Sequence, residues 1–150
     1  MTTLNTHWYP DKHLVVTELH GIVTSDDVKR WSNSLENTLA VLADGQDFKL
    51  VVNMIGYQFE NLTAHKDMRV VIPRLLSQHG FRSCLFDIAQ ASYQEIISIR
   101  GVTCIAIAHV HHDKQKMNLY EERFRLQSER FFSDFDKAIE WIMTIPVFSL

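Results

Sequence analysis

Val102-Thr103-Cys104-Ile105-Ala106-Ile107-Ala108-His109-Val110 is an almost unbroken apolar run of strand length. Such a run suits a strand covered on both faces, the situation of strands in a parallel sheet flanked by helices. Strict alternation puts Cys104, Ala106 and Ala108 on one small face, which lets a helix pack close. Upstream, Phe48, Leu50, Val52 and Met54 alternate with Lys49, Val51 and Asn53, so residues 47–54 read as a second strand, largely buried on both faces.

Between and around these strands the period changes to that of a helix. Thr24-Ser25-Asp26-Asp27 reads as a shortened capping box, and Val28, Trp31, Leu35, Leu39 and Leu42 follow as one stripe that Gly45 ends. Residues 65–79 carry Met68, Val71, Ile72, Leu75 and Leu76 at helical spacing, with Pro73 either kinking the helix or marking a later start. Residues 114–128 read as a helix with Met117, Tyr120 and Phe124 on one side. Ser133-Asp134-Phe135-Asp136 reads as a second capping box, opening a helix with Ala138, Trp141, Ile142 and Ile145 inward. At the start, residues 5–9 and 13–20 flank the turn Pro10-Asp11-Lys12 as a hairpin that Gly21 breaks. Arg130-Phe131-Phe132 is a short strand. Segment 80–101, with Phe81, Leu85, Phe86, Ile88, Ile96, Ile97 and Ile99, fits a strand and a helix or two short helices. Strands separated by helices require right-handed crossovers. The expectation is one α/β domain over 1–150, with a mixed, mainly parallel sheet, an antiparallel N-terminal hairpin edge and about four flanking helices.

Composition narrows the function. The chain has 150 residues, 46% hydrophobic and 22% charged, with 5 Gly, 3 Pro and a net charge of −3. That is a folded composition, without the glycines of a phosphate-cradling loop or the field of a nucleic-acid binder. No basic stripe interleaves with aromatics, no apolar window is long enough to span a membrane, and no signal peptide is readable at Met1-Thr2-Thr3-Leu4, so a cytoplasmic location is expected. Cys84 and Cys104 form no CxxC pair and read as free buried thiols. There is no GxSxG elbow, and nothing here calls for a cofactor.

The order of elements and their caps resembles the STAS-like (SpoIIAA-like) domains, whose prototypes are bacterial anti-sigma-factor antagonists. Within them it is similar to an uncharacterised bacterial branch related to the lipid-binding Sec14 (CRAL-TRIO) fold. Three stretches carry the resemblance: Gly21-Ile22-Val23-Thr24-Ser25-Asp26-Asp27, Val51-Val52-Asn53, and Phe131-Phe132-Ser133-Asp134 with Ala138-Ile139-Glu140-Trp141-Ile142. It spans about residues 13–143 and implies a non-enzymatic regulatory or interaction module whose helix faces and loops meet a protein partner. The prototypes have an Asp ending the central strand and a phosphorylatable Ser at the next helix start. Here Asn53 ends that strand and loop 55–65 has no Ser, which leaves Thr63 as the only candidate phosphate acceptor.

Eight histidines stand out, three of them within His109-Val110-His111-His112-Asp113. If the strand continues, His109 and His111 project to one side at its carboxyl end, where open α/β sheets bind ligands. Imidazole beside carboxylate suits acid–base chemistry or a metal, and makes His109, His111 and Asp113 candidates with His65 in reach. The plainer reading is that Asp113 caps a helix and His109 satisfies backbone groups. Asn53, Tyr57 and Glu60 are candidate neighbours in the same crevice, or ordinary loop caps. Arg69, Arg74, Arg82 and Arg100 offer guanidinium forks, or separate surface ion pairs. Met68, Met117, Tyr120, Phe124, Phe131 and Trp141 are core first and pocket lining second.

Three functions follow. The first is the regulatory or protein-interaction module. The second is a binder of a small apolar or amphipathic, lipid-like ligand in a cleft bordered by residues 80–101. A distant third is a metal-assisted enzyme using the His109–Asp113 cluster. Self-association through the hairpin edge or the tail Val147-Phe148-Ser149-Leu150 is a further possibility.

Overall fold

The β-branched segment after Pro10 does not stop at Gly21. The structure, a computed structural model, describes residues 2–85 and 95–147, and in it β2 runs from Leu14 to Val23. Gly21 adopts φ 95°, a left-handed conformation that glycine reaches without strain. The strand therefore changes partner instead of ending: Leu14–Glu18 pair with β3 (Asp47–Asn53), and Gly21–Val23 pair with β4 (Tyr57–Phe59). β4 was not expected from the sequence. Before β2, β1 (Thr3–Tyr9) forms the antiparallel hairpin, turned by a 3-10 helix at Pro10–Lys12 with His13 in the left-handed region.

The described strands form one mixed sheet, ordered β1-β2-β3-β5-β6 with β4 on the end of β2; β5 is Thr103–Val110 and β6 is Glu129–Phe132. All pairs except β1–β2 are parallel. Four helices are seen among the described residues: α1 (Ser25–Ala40), α2 (Leu62–Ser77), α3 (Lys114–Phe124) and α4 (Phe135–Met143). No helix of the described residues is long and apolar enough to cross a membrane.

Local chemistry sets the helix ends. Thr24 and Asp27 close a reciprocal capping box on α1. Asn61 caps α2, which begins earlier than the apolar stripe suggests and runs through Pro73. Asp113 caps α3, which stops at Phe124 rather than 128 because Ser128 accepts from the Ile107 N–H and Glu129 joins the sheet. The cap of α4 is Asp134, inside the expected Ser133–Asp136 box. α1 ends at Ala40, short of Gly45, and is closed from a distance: Arg100 donates to the Leu39 and Leu42 carbonyls and pairs with Asp44. The elements expected over segment 80–101 fall largely on residues 86–94, which, with Phe86 and Ile88 among them, lie outside the described residues. The described part holds a bridge from Ser98 to His79 and a 3-10 turn at Ile99–Gly101, with Ile96, Ile97 and Ile99 exposed.

Two apolar layers cover the sheet. On one face Val15, Leu19, Phe48, Leu50 and Ile107 pack with Trp31, Leu35, Ile72 and Leu76 of α1 and α2. On the other, Val51, Ala106 and Ala108 meet Ala138 and Ile142 of α4. Cys104 leaves the small face expected for it. The pairing slips by one residue between Phe48–Cys104 and Lys49–Ala106, so Cys104 turns to the α1–α2 side with Phe48. Its thiol is buried, and burial pushes its pKa up; neither it nor the half-buried Cys84 is in a disulfide. Lys49, buried on the α4 face, donates to the Ile145 carbonyl at 3.3 Å, and burial lowers its pKa.

Candidate functional site

β3 and β5 are parallel and end side by side, so residues that follow the same face of each strand converge beyond the covering helices. Val52 and Met54 from β3 and its exit, and His109 and His111 from β5 and its exit, reach this place. Between them and α1, α2 and α3 lies a cavity of about 300 Å³. Its apolar wall comprises Trp31, Met68, Ile72, Leu85, Met117 and Phe131, and its polar lining His65, Arg69, Lys116 and Tyr120. Trp31 is held by its indole N–H, which donates to the buried hydroxyl of Thr17 at 2.7 Å.

The polar lining is electrically lopsided. His65 is hydrogen-bonded to the Tyr57 hydroxyl at 3.0 Å and stacks on Phe59 at 4.4 Å. Burial, then Arg69 and Lys116, lower its pKa. His111 accepts the Asp113 N–H and stacks on His112; burial, then His112 and Lys116, push it down to about 4. Both rings are therefore neutral at pH 7. Burial also lowers the Lys116 pKa, although the Asp113 carboxylate supports its charge. The formal charges among the lining residues are those of Lys116 and Arg69, both positive.

His109 has a different setting. It is 8% exposed and lies flat on Phe131, with ring centroids 4.7 Å apart and planes 18° apart. Its Nε2 is 2.7 Å from Oε2 of Glu129, a carboxylate with no exposure at all. The same oxygen accepts from the Ser83 hydroxyl at 2.6 Å, and Oε1 accepts from the Cys84 N–H at 3.0 Å. Burial alone raises the pKa of Glu129; the hydrogen bonds from His109, Ser83 and Cys84 outweigh it and hold the carboxyl below its ordinary value.

Asn53 and Tyr57, expected in the crevice, are not among the lining residues. Asn53 lies on the opposite parity of β3 from Val52, and its Oδ1 accepts the Ile55 N–H; Tyr57 is buried behind His65 and acts on the cavity only through that ring. Burial raises its phenol to about 12. Glu60 is exposed. Of the four arginines only Arg69 lines the cavity, while Arg100 serves α1. Met68, Met117, Tyr120 and Phe131 line it; Phe124 packs on Tyr120, and Trp141 sits on the α4 side near Phe132. Thr63 is exposed in the first turn of α2.

His109, His111 and Asp113 do not converge as metal ligands. Each already serves a separate hydrogen bond, and no group of three or more His, Cys, Asp or Glu is arranged to hold an ion among the described residues. Glu129, Ser83 and Lys116 were missed. The signal for Glu129 was its place two residues before Phe131, on the inward parity of a short strand.

A solved structure shares this architecture: an uncharacterised protein of the DUF3478 family from Shewanella loihica PV-4, with a SpoIIAA-like fold. It aligns over 94% of this chain and 93% of its own, with a TM-score of 0.52 and 14% identity. The fold is SpoIIAA-like. That likeness fixes the fold alone and does not extend to the Sec14 relation. No protein-family profile matches the chain, and no curated protein matches it.

Proposed function

We propose that this SpoIIAA-like chain is a binding module that takes a small amphipathic molecule, apolar in body and anionic at one end, into the cavity beside β3 and β5. The observation that supports this is an apolar wall closed by a rim whose formal charges are Lys116 and Arg69. Apolar surface supplies affinity, and a few placed polar groups orient the ligand. His65 and His111, neutral at pH 7, add hydrogen-bonding edges to the rim without adding charge. Leu85 places the edge of segment 80–101 on the wall.

The test is thermal unfolding with a series of alkanoates from butanoate to decanoate, beside the matching alcohols and amines. Carboxylates raise Tm in a saturable way and do so more than alcohols, while amines do not. Lys116→Ala weakens carboxylate binding about tenfold, and Met117→Trp, which fills the space, abolishes it with circular dichroism unchanged. Equal shifts for amines and carboxylates, or shifts that survive Met117→Trp, overturn the reading.

A second reading, regulatory contact with a protein partner, draws on Leu62, 66% exposed beside Thr63 in the first turn of α2. Native mass spectrometry of protein purified from its own source separates the two: a retained small molecule supports the first, a retained protein lost on Leu62→Glu the second.

A further inference from the structure

We infer that the molecule held in this cavity carries a hydroxyl or other hydrogen-bond donor within its apolar body, received by Nδ1 of His109. The inference rests on the cavity reading and specifies its ligand class: hydroxylated, apolar-bodied acids rather than plain fatty acids.

Glu129 decides the matter. An ionised carboxylate only accepts hydrogen bonds, so the imidazole nitrogen facing it at 2.7 Å bears the proton. In the tautomer this geometry selects, the lone pair sits on Nδ1, on the edge turned away from Glu129. Two further donors, the Ser83 hydroxyl and the Cys84 N–H, saturate the carboxylate and hold it in place. Phe131 fixes the plane of the ring. His109 is thus an acceptor pinned on two sides, more than nine-tenths buried, and part of the cavity lining. The hydrogen bond of its side chain among the described residues runs from Nε2 to Glu129, and Nδ1 is not one of the enclosed polar atoms left without a partner, so it keeps access to the cavity. An acceptor that a bound ligand covers is costly to leave unmatched, and it discriminates strongly between ligands that can and cannot donate to it.

The experiment compares phenylbutanoate with its ortho, meta and para hydroxy derivatives and with their methyl ethers by calorimetric titration. One hydroxy isomer binds the native protein roughly tenfold or more tightly than both phenylbutanoate and its own ether. The preference disappears in the double variant His109→Phe with Glu129→Gln, which keeps the ring stack and avoids a buried unpaired charge, so that parent, phenol and ether bind the variant within about twofold of one another. Nitrogen NMR of the native protein at neutral pH shows Nε2 protonated and Nδ1 bare, and the Nδ1 signal moves on adding the preferred isomer. Equal binding of parent, phenol and ether, or a protonated Nδ1 in the free protein, overturns the inference and leaves the cavity reading standing. If phenylbutanoate and all its derivatives fail to bind, the cavity reading falls as well.

Discussion

Asp27 closes the start of α1 with one carboxylate and several donors. The Thr24 N–H contributes most, burial opposes it, and Arg30 and the Thr24 and Thr2 hydroxyls add to it; the outcome is a pKa lowered from 3.8 to about 2. A depressed folded-state pKa stabilises the protein above the unfolded value, and that contribution drains away as pH falls through the folded one. Urea midpoints should therefore be level above about pH 4 and drop toward pH 2, and Asp27→Asn should lower the plateau and flatten the drop. Parallel urea titrations across that range check both. At this scale the sequence was legible where a residue acts on its neighbours. The Thr24–Asp27 box and the Asp113 cap are contacts across three residues, and both are visible in a string of letters. Glu129 was not, because Ser128 and Arg130 beside it make it look solvated. Its partners are 20 residues and more away, at His109 and Ser83.

Arg100 is the comparable case among elements. Its own φ is 55°, yet its guanidinium closes the carbonyl end of α1 at Leu39 and Leu42. Two effects are superimposed there, a backbone that glycine would tolerate better and a side chain that glycine would remove. Arg100→Ala should lower stability by about 1–2 kcal/mol, and Arg100→Gly by less, because it forfeits the same bonds but relieves the left-handed backbone. Chemical denaturation of the pair gives the difference. The helices were legible as stripes, but their ends were not wherever a remote group supplies the cap. α1 stops before Gly45 because Arg100 reaches it, and α3 stops at Phe124 because the sheet claims Glu129. β4 escaped notice since three residues, Tyr57–Phe59, are too few to show a period.

For the molecule as a whole, the sheet centre and its margins differ in cover. β3 and β5 have partners on both sides and apolar layers on both faces, whereas β4 pairs only along Gly21–Val23. Hydrogen exchange should find amides of Leu50–Val52 and Ile107–His109 opening only with global unfolding, and those of Gln58 and Phe59 at least tenfold faster. Exchange of all of them at one rate would contradict this. The α/β class, the hairpin edge and the parallel interior were legible because strand pairing follows from buried runs separated by helices. The cavity was not, since its wall draws on α1, α2, α3 and two strand ends that only the fold brings together. The one-residue slip opposite Phe48 and Lys49 links these scales. It works like a change of reading frame: after it, odd numbers in the strand take the α1–α2 side and even numbers the α4 side, while before it Cys104 obeys the reverse rule. Deleting Ile105, the extra residue of the slip, would join Cys104 to Ala106 in one regular alternation and leave every side chain on its present face. Inserting a residue after Ala106 instead would hand the imidazoles of His109 and His111 to the alanine face and leave methyl groups where the ligand should be met.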